Sequence, residues 1–426
     1  MRKKIHSTLN KVLKNAFVRD VWTIFSTSLL KILVQAVYFV IIARTFGPDE
    51  YGSFIGTLAV VSLFYPFASW GSNWLLIQNV SRDQSSFADY CGTAILKNLA
   101  FSSAFILIIS LILSLYPIPN ISIYSVFLLS LANLIFLPLS DICRDAFMSV
   151  GLMKYAGIVM TLLSVNRFLG SLALITLFET PTLLIWSVLY CIATFATTVI
   201  SSILMFRLIG YPKFKLHRVT QELAQGFAFS IGASAESIYS ELDKSMLVKL
   251  ATVESVGIYG AAVQIFNVSL TPIQAVMMTA YRKFFQKGAS GINGSLELAK
   301  KLLPLTLGYA GLGFVGIILF APLLPKILGE EYADSALALM WFSPLIFMKA
   351  THSLAADVLA GANYQKARSI SQVLVAFLNG VLNFWLIPLY QWRGALWATL
   401  ASELLLAILL WSFVYIYSKK SCQDSG

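Results

Sequence analysis

The amino-acid sequence predicts an all-α, polytopic membrane protein with about twelve transmembrane helices, arranged in two six-helix lobes around a central cavity. Of its 426 residues, 58% are hydrophobic and 12% are charged, and the mean hydropathy is +0.77. Soluble proteins carry about 25% charged residues, so this chain is too apolar for that class. A membrane-spanning helix needs about 20 mostly apolar residues, and the chain contains twelve runs of this kind.

The predicted spans and their connections divide the chain into five parts. Residues 1–20 form an amphipathic cytoplasmic N-terminus with basic flanks, and residues 418–426 form a cytoplasmic tail. The polar cytoplasmic connection 210–222 separates an N-terminal lobe, 21–209, from a C-terminal lobe, 223–417. The predicted spans are 21–43, 51–77, 93–116, 122–148, 156–178, 183–209, 223–249, 257–281, 302–323, 336–360, 369–387 and 395–417.

The distribution of Lys and Arg predicts the orientation of these spans. If residue 1 is cytoplasmic, and residues at the ends of spans are counted with the side that they adjoin, that side holds 22 of the 31 Lys and Arg residues, against four on the other side and five in the interior of spans. Cytoplasmic loops of membrane proteins carry such an excess of positive charge. We therefore expect both termini in the cytoplasm. The net charge of +11 reflects this topology, and we expect no nucleic-acid partner.

The sequence carries no pattern that indicates catalysis, a metal or a cofactor. The four cysteines lack CxxC spacing, so we expect free thiols; they are Cys91, Cys143, Cys191 and Cys422. H-E-x-x-H, G-x-S-x-G and Walker motifs do not occur in the sequence. If the protein were an enzyme, the class to consider would be a membrane O-antigen polymerase or glycosyltransferase. Such enzymes carry an extended outside loop, and the predicted outside loops are too short to form one. The sequence therefore favours a protein that is not an enzyme.

Charged residues inside the predicted spans are the candidates for function. A charge at the centre of a bilayer costs about 2.5 to 3.5 kcal/mol on insertion scales, so such residues usually face a bundle interior or a cavity. The candidates for a substrate cavity are Lys31, Arg167, Lys244, Lys349 and His352. The candidates for ion coupling or ion pairing are the carboxylates Glu236, Asp243, Asp357 and Glu403.

Arg167 is the cation with the clearest pattern. It lies beside Asn166 at the centre of the fifth predicted span, which contains no carboxylate. One interpretation is that its guanidinium binds the anionic part of a substrate. The alternative is a salt bridge across the lobe interface to Glu236, Asp243 or Glu403.

The tenth predicted span shows polar and charged side chains on one helical face. In the tenth span, Lys349, His352, Ser353, Ala356 and Asp357 follow the i, i+3, i+4, i+7, i+8 spacing. This stripe is either structural or part of a translocation path, and we favour the path.

The first and last spans each carry one charged residue whose partner the sequence does not identify. Lys31 lies one turn from Gln35, so it either pairs with a carboxylate or lines the cavity. Glu403 is the one charged residue at the centre of the twelfth span, and it suits a proton carrier or a partner for Lys31 or Lys349.

Proline and glycine predict irregular helices in two spans. Pro66 and Gly71 interrupt the second span, and Pro138 interrupts the fourth, because proline removes a backbone donor and kinks a helix. The fourth span ends in a ladder of charges that we expect to neutralise itself, formed by Asp141, Arg144 and Asp145.

Several short motifs occur in a fixed order along the chain. They are ARTFGPDEYGSF at 43–54, Trp70-Gly71, Ser81-Arg82, DKSMLVKLATVESVGIYGAA at 243–262, ILGEEYADSALAL at 327–339 and LNGVLNFWLIPLYQWRGALWAT at 378–399. In this order they resemble the polysaccharide flippases of the multidrug/oligosaccharidyl-lipid/polysaccharide exporter superfamily, of the O-antigen translocase type. The resemblance covers nearly the whole chain.

The resemblance implies a flippase that moves an undecaprenyl-diphosphate-linked oligosaccharide, an O-antigen unit or a related polysaccharide repeat, across the bacterial inner membrane by alternating access. The partners it implies are the lipid-linked oligosaccharide, membrane lipids, a polysaccharide polymerase and a chain-length regulator, with no cofactor. A multidrug or cation exporter and a lipid II flippase of the same superfamily are the alternatives. The charge of the cavity distinguishes a multidrug or cation exporter from a polysaccharide flippase, because cationic drugs require an acidic cavity. A lipid II flippase is expected to have fourteen spans.

Overall fold

The computed structural model describes residues 16–81, 83–288 and 291–423, and in these ranges every regular element is a helix. Helices of the first half are α1 Ala16–Ser62, α2 Tyr65–Ala68, α3 Ser72–Val80, α4 Phe87–Leu115, α5 Ile123–Ser130, α6 Leu137–Ser149, α7 Met153–Leu177, α8 Leu183–Leu208 and α9 Leu216–Gln221. Helices of the second half are α10 Leu223–Leu250, α11 Val253–Gly288, α12 Ile292–Phe320, α13 Leu324–Leu328, α14 Ala333–Phe342, α15 Leu345–Gly361, α16 Gln365–Tyr390 and α17 Trp392–Gln423. Short 3-10 turns lie at Gln84–Ser86, Ala321–Leu323 and Glu330–Tyr332.

Nine helical stretches of the described residues are long and apolar enough to cross a membrane. The predicted spans 223–249 and 336–360 are not among these stretches, and the predicted spans 21–43 and 51–77 share the single stretch Leu30–Ser62. The first of them carries several charges in α10, and the second is divided between α14 and α15, which have 10 and 17 residues. The helical membrane fold that the sequence predicts is confirmed, and the count of twelve stays a prediction.

Helix α1 is interrupted at Gly47, in the connection that the sequence places between the first two spans, and so consists of two helical segments. Gly47 has φ 65° and ψ 177°, which kinks the helix, and Pro48 follows it. Glycine adopts this left-handed φ without the steric cost that a Cβ atom brings. The Gly-Pro pair therefore separates two helical segments, one on each side of Gly47.

The second predicted span breaks where its proline and glycine predict. Helix α1 ends at Ser62, Pro66 lies in the short helix α2, and α3 begins after Gly71. Trp70 and Gly71 both have positive φ, 48° and 68°. A left-handed φ is uncommon for a bulky residue such as tryptophan, so the surrounding contacts must hold Trp70 in place.

The helices group into two compact units. The first contains the chain up to Phe46 together with Thr57–Ser237, and the second contains Gly47–Gly56 and Ile238–Gly426. The lobes 21–209 and 223–417 stay a prediction as a functional division. In the first unit, the thiols of Cys91, Cys143 and Cys191 are free and buried, whereas the side chain of Cys422 lies outside the described residues. An apolar core of this unit contains Leu76, Val80, Phe87, Cys91, Ala94, Ile142, Cys143, Ala146, Phe147, Ala156, Val159 and Met205.

In the second unit, two of the glycine motifs pack against each other. A Cβ atom on Gly52 would lie 1.8 Å from the carbonyl oxygen of Val253, and one on Gly257 would lie 2.0 Å from that of Pro48. Small residues at helix contacts in membranes let two backbones approach closely. The YG motif after the kink and the VGxYG motif of α11 therefore form one backbone-to-backbone contact.

We predict that Gly52→Ala and Gly257→Ala each lower the yield of folded, monodisperse protein and its thermal unfolding temperature. Overpacking of a close contact costs about 1 to 3 kcal/mol, because the two backbones must separate. Gly308→Ala is the matched control, since a Cβ atom at Gly308 of α12 meets nothing within 4 Å. Gly52→Ala or Gly257→Ala protein as stable as the Gly308→Ala protein would contradict this packing.

Candidate functional site

The guanidinium of Arg167 in α7 lies against an aromatic ring rather than a carboxylate. Its Cζ atom is 4.1 Å from the centroid of the Tyr190 ring in α8. Its Nε and Nη2 atoms are shielded from solvent and have no hydrogen-bond acceptor in the described part of the chain. The neighbouring Asn166 donates through Nδ2 to Oγ1 of Thr197, 2.9 Å away, and so ties α7 to α8. Arg167 thus keeps donors that the described residues do not use.

A second cation lies close to Arg167 in the first unit. Lys31 of α1 is within Coulombic range of the Asp141 carboxylate and of the guanidinium groups of Arg144 and Arg167. Its side chain is only partly exposed. The first, fourth and fifth predicted spans therefore bring their charged residues into one cluster.

The charge ladder at the end of α6 forms as its spacing predicts. The Nη1 atom of Arg144 donates to Oδ1 of Asp141 at 2.5 Å, and its Nε donates to Oδ1 of Asp145 at 2.9 Å. The hydroxyl of Tyr65 donates to Asp141, and Nδ2 of Asn73 donates to Asp145 at 3.0 Å. One guanidinium and polar neighbours from α2 and α3 hold both carboxylates.

Among the described residues, the cluster of the first unit carries a net positive charge. We name it the basic cluster, and its charged members are Lys31, Asp141, Arg144, Asp145 and Arg167. Three cations face two carboxylates, and Arg144 already occupies both carboxylates. The excess positive charge therefore rests on Lys31 and Arg167.

The second unit contains an ion-pair group around one buried carboxylate. Nζ of Lys349 in α15 lies 2.5 Å from Oε1 of Glu403 in α17, and Nε2 of His352 lies 2.7 Å from Oε2. The Glu403 side chain is 1% exposed. Of the two partners that the sequence offers for Glu403, the structure gives it Lys349. Asp357, at the other end of the same stripe, lies 3.9 Å from Arg368.

Two other predicted site residues lie on α10. Lys244 pairs with Glu241 of the same helix, with 2.5 Å between Nζ and Oε2, so its charge is compensated. Glu236 has a side chain outside the described residues, so it stays a prediction from the sequence.

Asp243 is buried among neutral donors from three helices. Oδ2 accepts hydrogen bonds from the hydroxyls of Tyr259 at 2.6 Å and Thr399 at 2.5 Å, and Oδ1 accepts from Nδ2 of Asn383 at 2.6 Å. Asn383 also contacts Oδ1 of Asn379 at 2.9 Å. This carboxylate therefore connects two of the sequence motifs. Asp243 and Tyr259 belong to the motif at 243–262, and Asn383 and Thr399 belong to the motif at 378–399.

Sequence reasoning missed an ion pair in the first unit. Lys97 of α4 is fully buried, and its Nζ lies 3.0 Å from Oε2 of Glu222, just before α10. The lysine was visible as a charge in the third predicted span, but Glu222 belongs to a polar connection and gave no signal of a buried partner. The pair fixes the end of that connection to α4.

The family described as "Polysaccharide biosynthesis protein" matches residues 17–281, which is more than half of the chain. A protein named "Putative O-antigen transporter" from Escherichia coli (strain K12) is 25% identical over 395 residues, with 90% of this chain and 92% of that protein covered.

Three solved structures of similar fold are those of transporters or of a flippase. An inward-facing multidrug resistance MATE family transporter of the MOP superfamily has a TM-score of 0.75 at 11% identity, with 92% of this chain and 99% of that chain covered. The lipid II flippase MurJ in an inward closed conformation has a TM-score of 0.75 at 12% identity, with 92% and 87% covered. A MOP superfamily transporter from Pyrococcus furiosus has a TM-score of 0.62 at 12% identity, with 94% and 96% covered.

These comparisons confirm the resemblance that the sequence motifs carry, and they agree with a multi-pass membrane protein. The relative and the structural neighbours are named as transporters or flippases, so the prediction of a transporter rather than an enzyme is confirmed. At this level of identity the solved structures show the fold alone. The chain belongs to the polysaccharide biosynthesis protein family and has the fold of MOP superfamily transporters.

Proposed function

We propose that this protein is a flippase that moves undecaprenyl-diphosphate-linked repeat units of O-antigen, or of a related polysaccharide, across the bacterial inner membrane. The main support for this proposal is the basic cluster, in which Arg167 has shielded N–H donors without an acceptor among the described residues. Membership of the family and the name of the 25% identical relative support the substrate class.

The chemistry of the basic cluster suits a diphosphate headgroup. A guanidinium presents its N–H donors in a planar fork that binds phosphate oxygens in pairs, and it stays charged at any physiological pH. The nearby Lys31 adds a second positive charge within Coulombic range. Both charges then act on one multiply charged anion, and the apolar surroundings strengthen this attraction relative to water.

Transport requires that the bound headgroup reach both leaflets in turn. Moving a polar headgroup through hydrocarbon without partners costs several kcal/mol for each unsatisfied group. In our proposal, the six-span halves give alternating access to the site, and the lipid tail remains in the bilayer. The repeat unit is loaded on the cytoplasmic side, where both termini lie. A polysaccharide polymerase and a chain-length regulator then act on it at the other side.

The sign of the charge argues against export of cationic drugs. A cationic drug needs acidic groups that are free to bind it. In the described part of the basic cluster, both carboxylates are held by Arg144 and by polar neighbours. An anionic lipid headgroup matches the remaining positive charge.

Asp243 supplies a separate proposal for ion coupling. In the described part of the chain, its hydrogen-bond partners Tyr259, Thr399 and Asn383 are all neutral, whereas Glu403 and Asp357 each have a cationic partner. A buried carboxylate without a cationic partner is costly, and binding a proton or a monovalent cation relieves that cost. Asp243 is therefore our preferred coupling group among the predicted carboxylates.

For the substrate role, we predict that Arg167→Ala lowers the rate of O-antigen display about 10- to 100-fold, since a hydrogen bond to a charged group contributes about 1.5 to 3 kcal/mol. Arg167→Lys should lose less, because it keeps the charge and loses the paired donors. The measurement is surface polysaccharide in a strain that lacks the chromosomal gene, at matched protein levels.

Arg207→Ala is the control, since Arg207 lies exposed in the last turn of α8 of the same unit and should tolerate the change. Normal transport by Arg167→Ala would remove this residue from the substrate site, and Lys31 and Lys349 would become the next candidates.

For the coupling role, we predict that Asp243→Asn abolishes the response of transport to a proton or sodium gradient in proteoliposomes. The amide keeps the shape of the carboxylate but cannot take up a proton or hold a cation by charge. Binding of undecaprenyl diphosphate should stay within about twofold of wild type.

Asp334→Asn is the control for this change, because Asp334 is a half-exposed carboxylate paired with Arg393 in the same unit. A gradient response retained by Asp243→Asn would exclude Asp243 as the coupling group and leave the substrate site untouched.

A further inference from the structure

In a π-helical turn of the fourth predicted span, one backbone carbonyl lacks the N–H donor that an α-helix would supply. The turn spans Leu131–Phe136, between α5 and α6, and Pro138 follows it. In an α-helix the carbonyl of Leu134 would accept from the N–H of residue 138, but proline has none. Asn98 and Ser102 of α4 donate to this carbonyl instead, at 2.9 Å and 2.5 Å.

The same turn is also fixed from the side of α8. The hydroxyl of Thr198 donates to the carbonyl oxygen of Phe136 at 2.7 Å. Helices α4 and α8 therefore supply side-chain donors to carbonyls at the end of the π turn. A π turn held in this way is a defined structure, and such turns occur frequently at functional sites.

The π turn places Asn133 so that it holds the Tyr190 hydroxyl. Nδ2 of Asn133 donates to the carbonyl of Leu129 at 2.8 Å, which fixes the orientation of the amide. Its Oδ1 then accepts from the hydroxyl of Tyr190 at 3.0 Å. Tyr190 is 1% exposed, and its ring packs edge-on against Trp186 with centroids 5.8 Å apart.

The face of the Tyr190 ring in turn supports Arg167. The guanidinium Cζ lies 4.1 Å from the ring centroid, within the range of a cation–π interaction. This interaction stabilises the cation through the face of its plane and uses none of its N–H donors. A carboxylate in the same place would take those donors and cancel the charge.

We propose that Asn133 and Tyr190 are positioning residues for Arg167, and that they hold the guanidinium by its face so that its N–H edge stays available to a diphosphate or another phosphate headgroup. This inference rests on the proposed function, because it concerns the same site. It goes beyond that function in assigning the orientation of the arginine to an aromatic ring and a π turn.

A double-mutant cycle separates positioning from a general structural role. The measurement is the apparent Kd of radiolabelled undecaprenyl diphosphate for the full-length protein in nanodiscs, in four proteins that combine Arg167 or Arg167→Ala with Tyr190 or Tyr190→Leu. We expect Tyr190→Leu to weaken binding about 5- to 30-fold when Arg167 is present, because a desolvated cation–π contact is lost. In the Arg167→Ala protein the same change should alter Kd by less than about twofold, because the two residues act through one contact.

Tyr190→Phe and Asn133→Ala provide a second comparison that preserves the ring. Either change removes the hydrogen bond between the two residues but keeps the cation–π contact, so each should weaken binding by a smaller factor of about 2 to 10. Their effects should also vanish in the Arg167→Ala protein. The thermal unfolding temperature of each variant identifies any loss that follows from misfolding.

The outcomes distinguish this inference from the function on which it rests. Equal losses from Tyr190→Leu and from Tyr190→Phe in both Arg167 backgrounds would overturn the positioning role and leave Arg167 as a substrate residue. If the single variant Arg167→Ala binds undecaprenyl diphosphate with the same Kd as the wild-type protein, the proposed substrate site is overturned, and the positioning role with it. Weaker binding by the Tyr190 variants when Arg167 is present, with no further change in the Arg167→Ala protein, supports the inference.

Discussion

A charge in the hydrocarbon core of a membrane must be compensated, and this constraint accounts for most of the polar architecture of the protein. Within predicted spans, Lys349 and His352 meet Glu403, and Lys97, near the start of the third predicted span, meets Glu222 of the polar connection. An unpaired charge at such depth costs several kcal/mol, so pairs of this kind are the expected structural solution. Arg167 departs from this solution, because an aromatic ring supports its charge and no carboxylate of the described first unit takes its donors.

The same constraint links the fold to the proposed chemistry. The irregular helices of the first unit, with the break at Gly71 and the π turn before Pro138, bring side chains from several helices to the carboxylates and carbonyls that need donors. In the second unit, the motifs of the superfamily resemblance serve two physical ends. Gly52 and Gly257 allow close backbone packing, and Tyr259 donates to the buried Asp243.

The sequence predicted the class of fold because apolar run length and composition suffice for it. It also predicted irregular helices at Pro66, Gly71 and Pro138, since proline and glycine act locally. The form of each irregularity depended on tertiary contacts. The π turn, whose carbonyls accept from side chains of two other helices, was therefore beyond the sequence alone.

Pairing between charges was predictable only within a helix. The spacing of Asp141, Arg144 and Asp145 indicated their contacts, because positions three and four apart share a helical face. The choice of Lys349 over Lys31 for Glu403 depended on how helices pack, which the sequence does not encode locally.

The central claim is translocation of a lipid-linked oligosaccharide, and reconstitution tests it most directly. The purified protein would be placed in liposomes that carry an undecaprenyl-diphosphate-linked repeat unit in both leaflets, and the fraction of glycan oxidised by a membrane-impermeant reagent would be followed with time. The account predicts that oxidation passes the fraction initially exposed and approaches completion with the wild-type protein, and that Arg167→Ala slows this phase about 10-fold or more. Oxidation that stops at the exposed fraction, as in liposomes without protein, would contradict it.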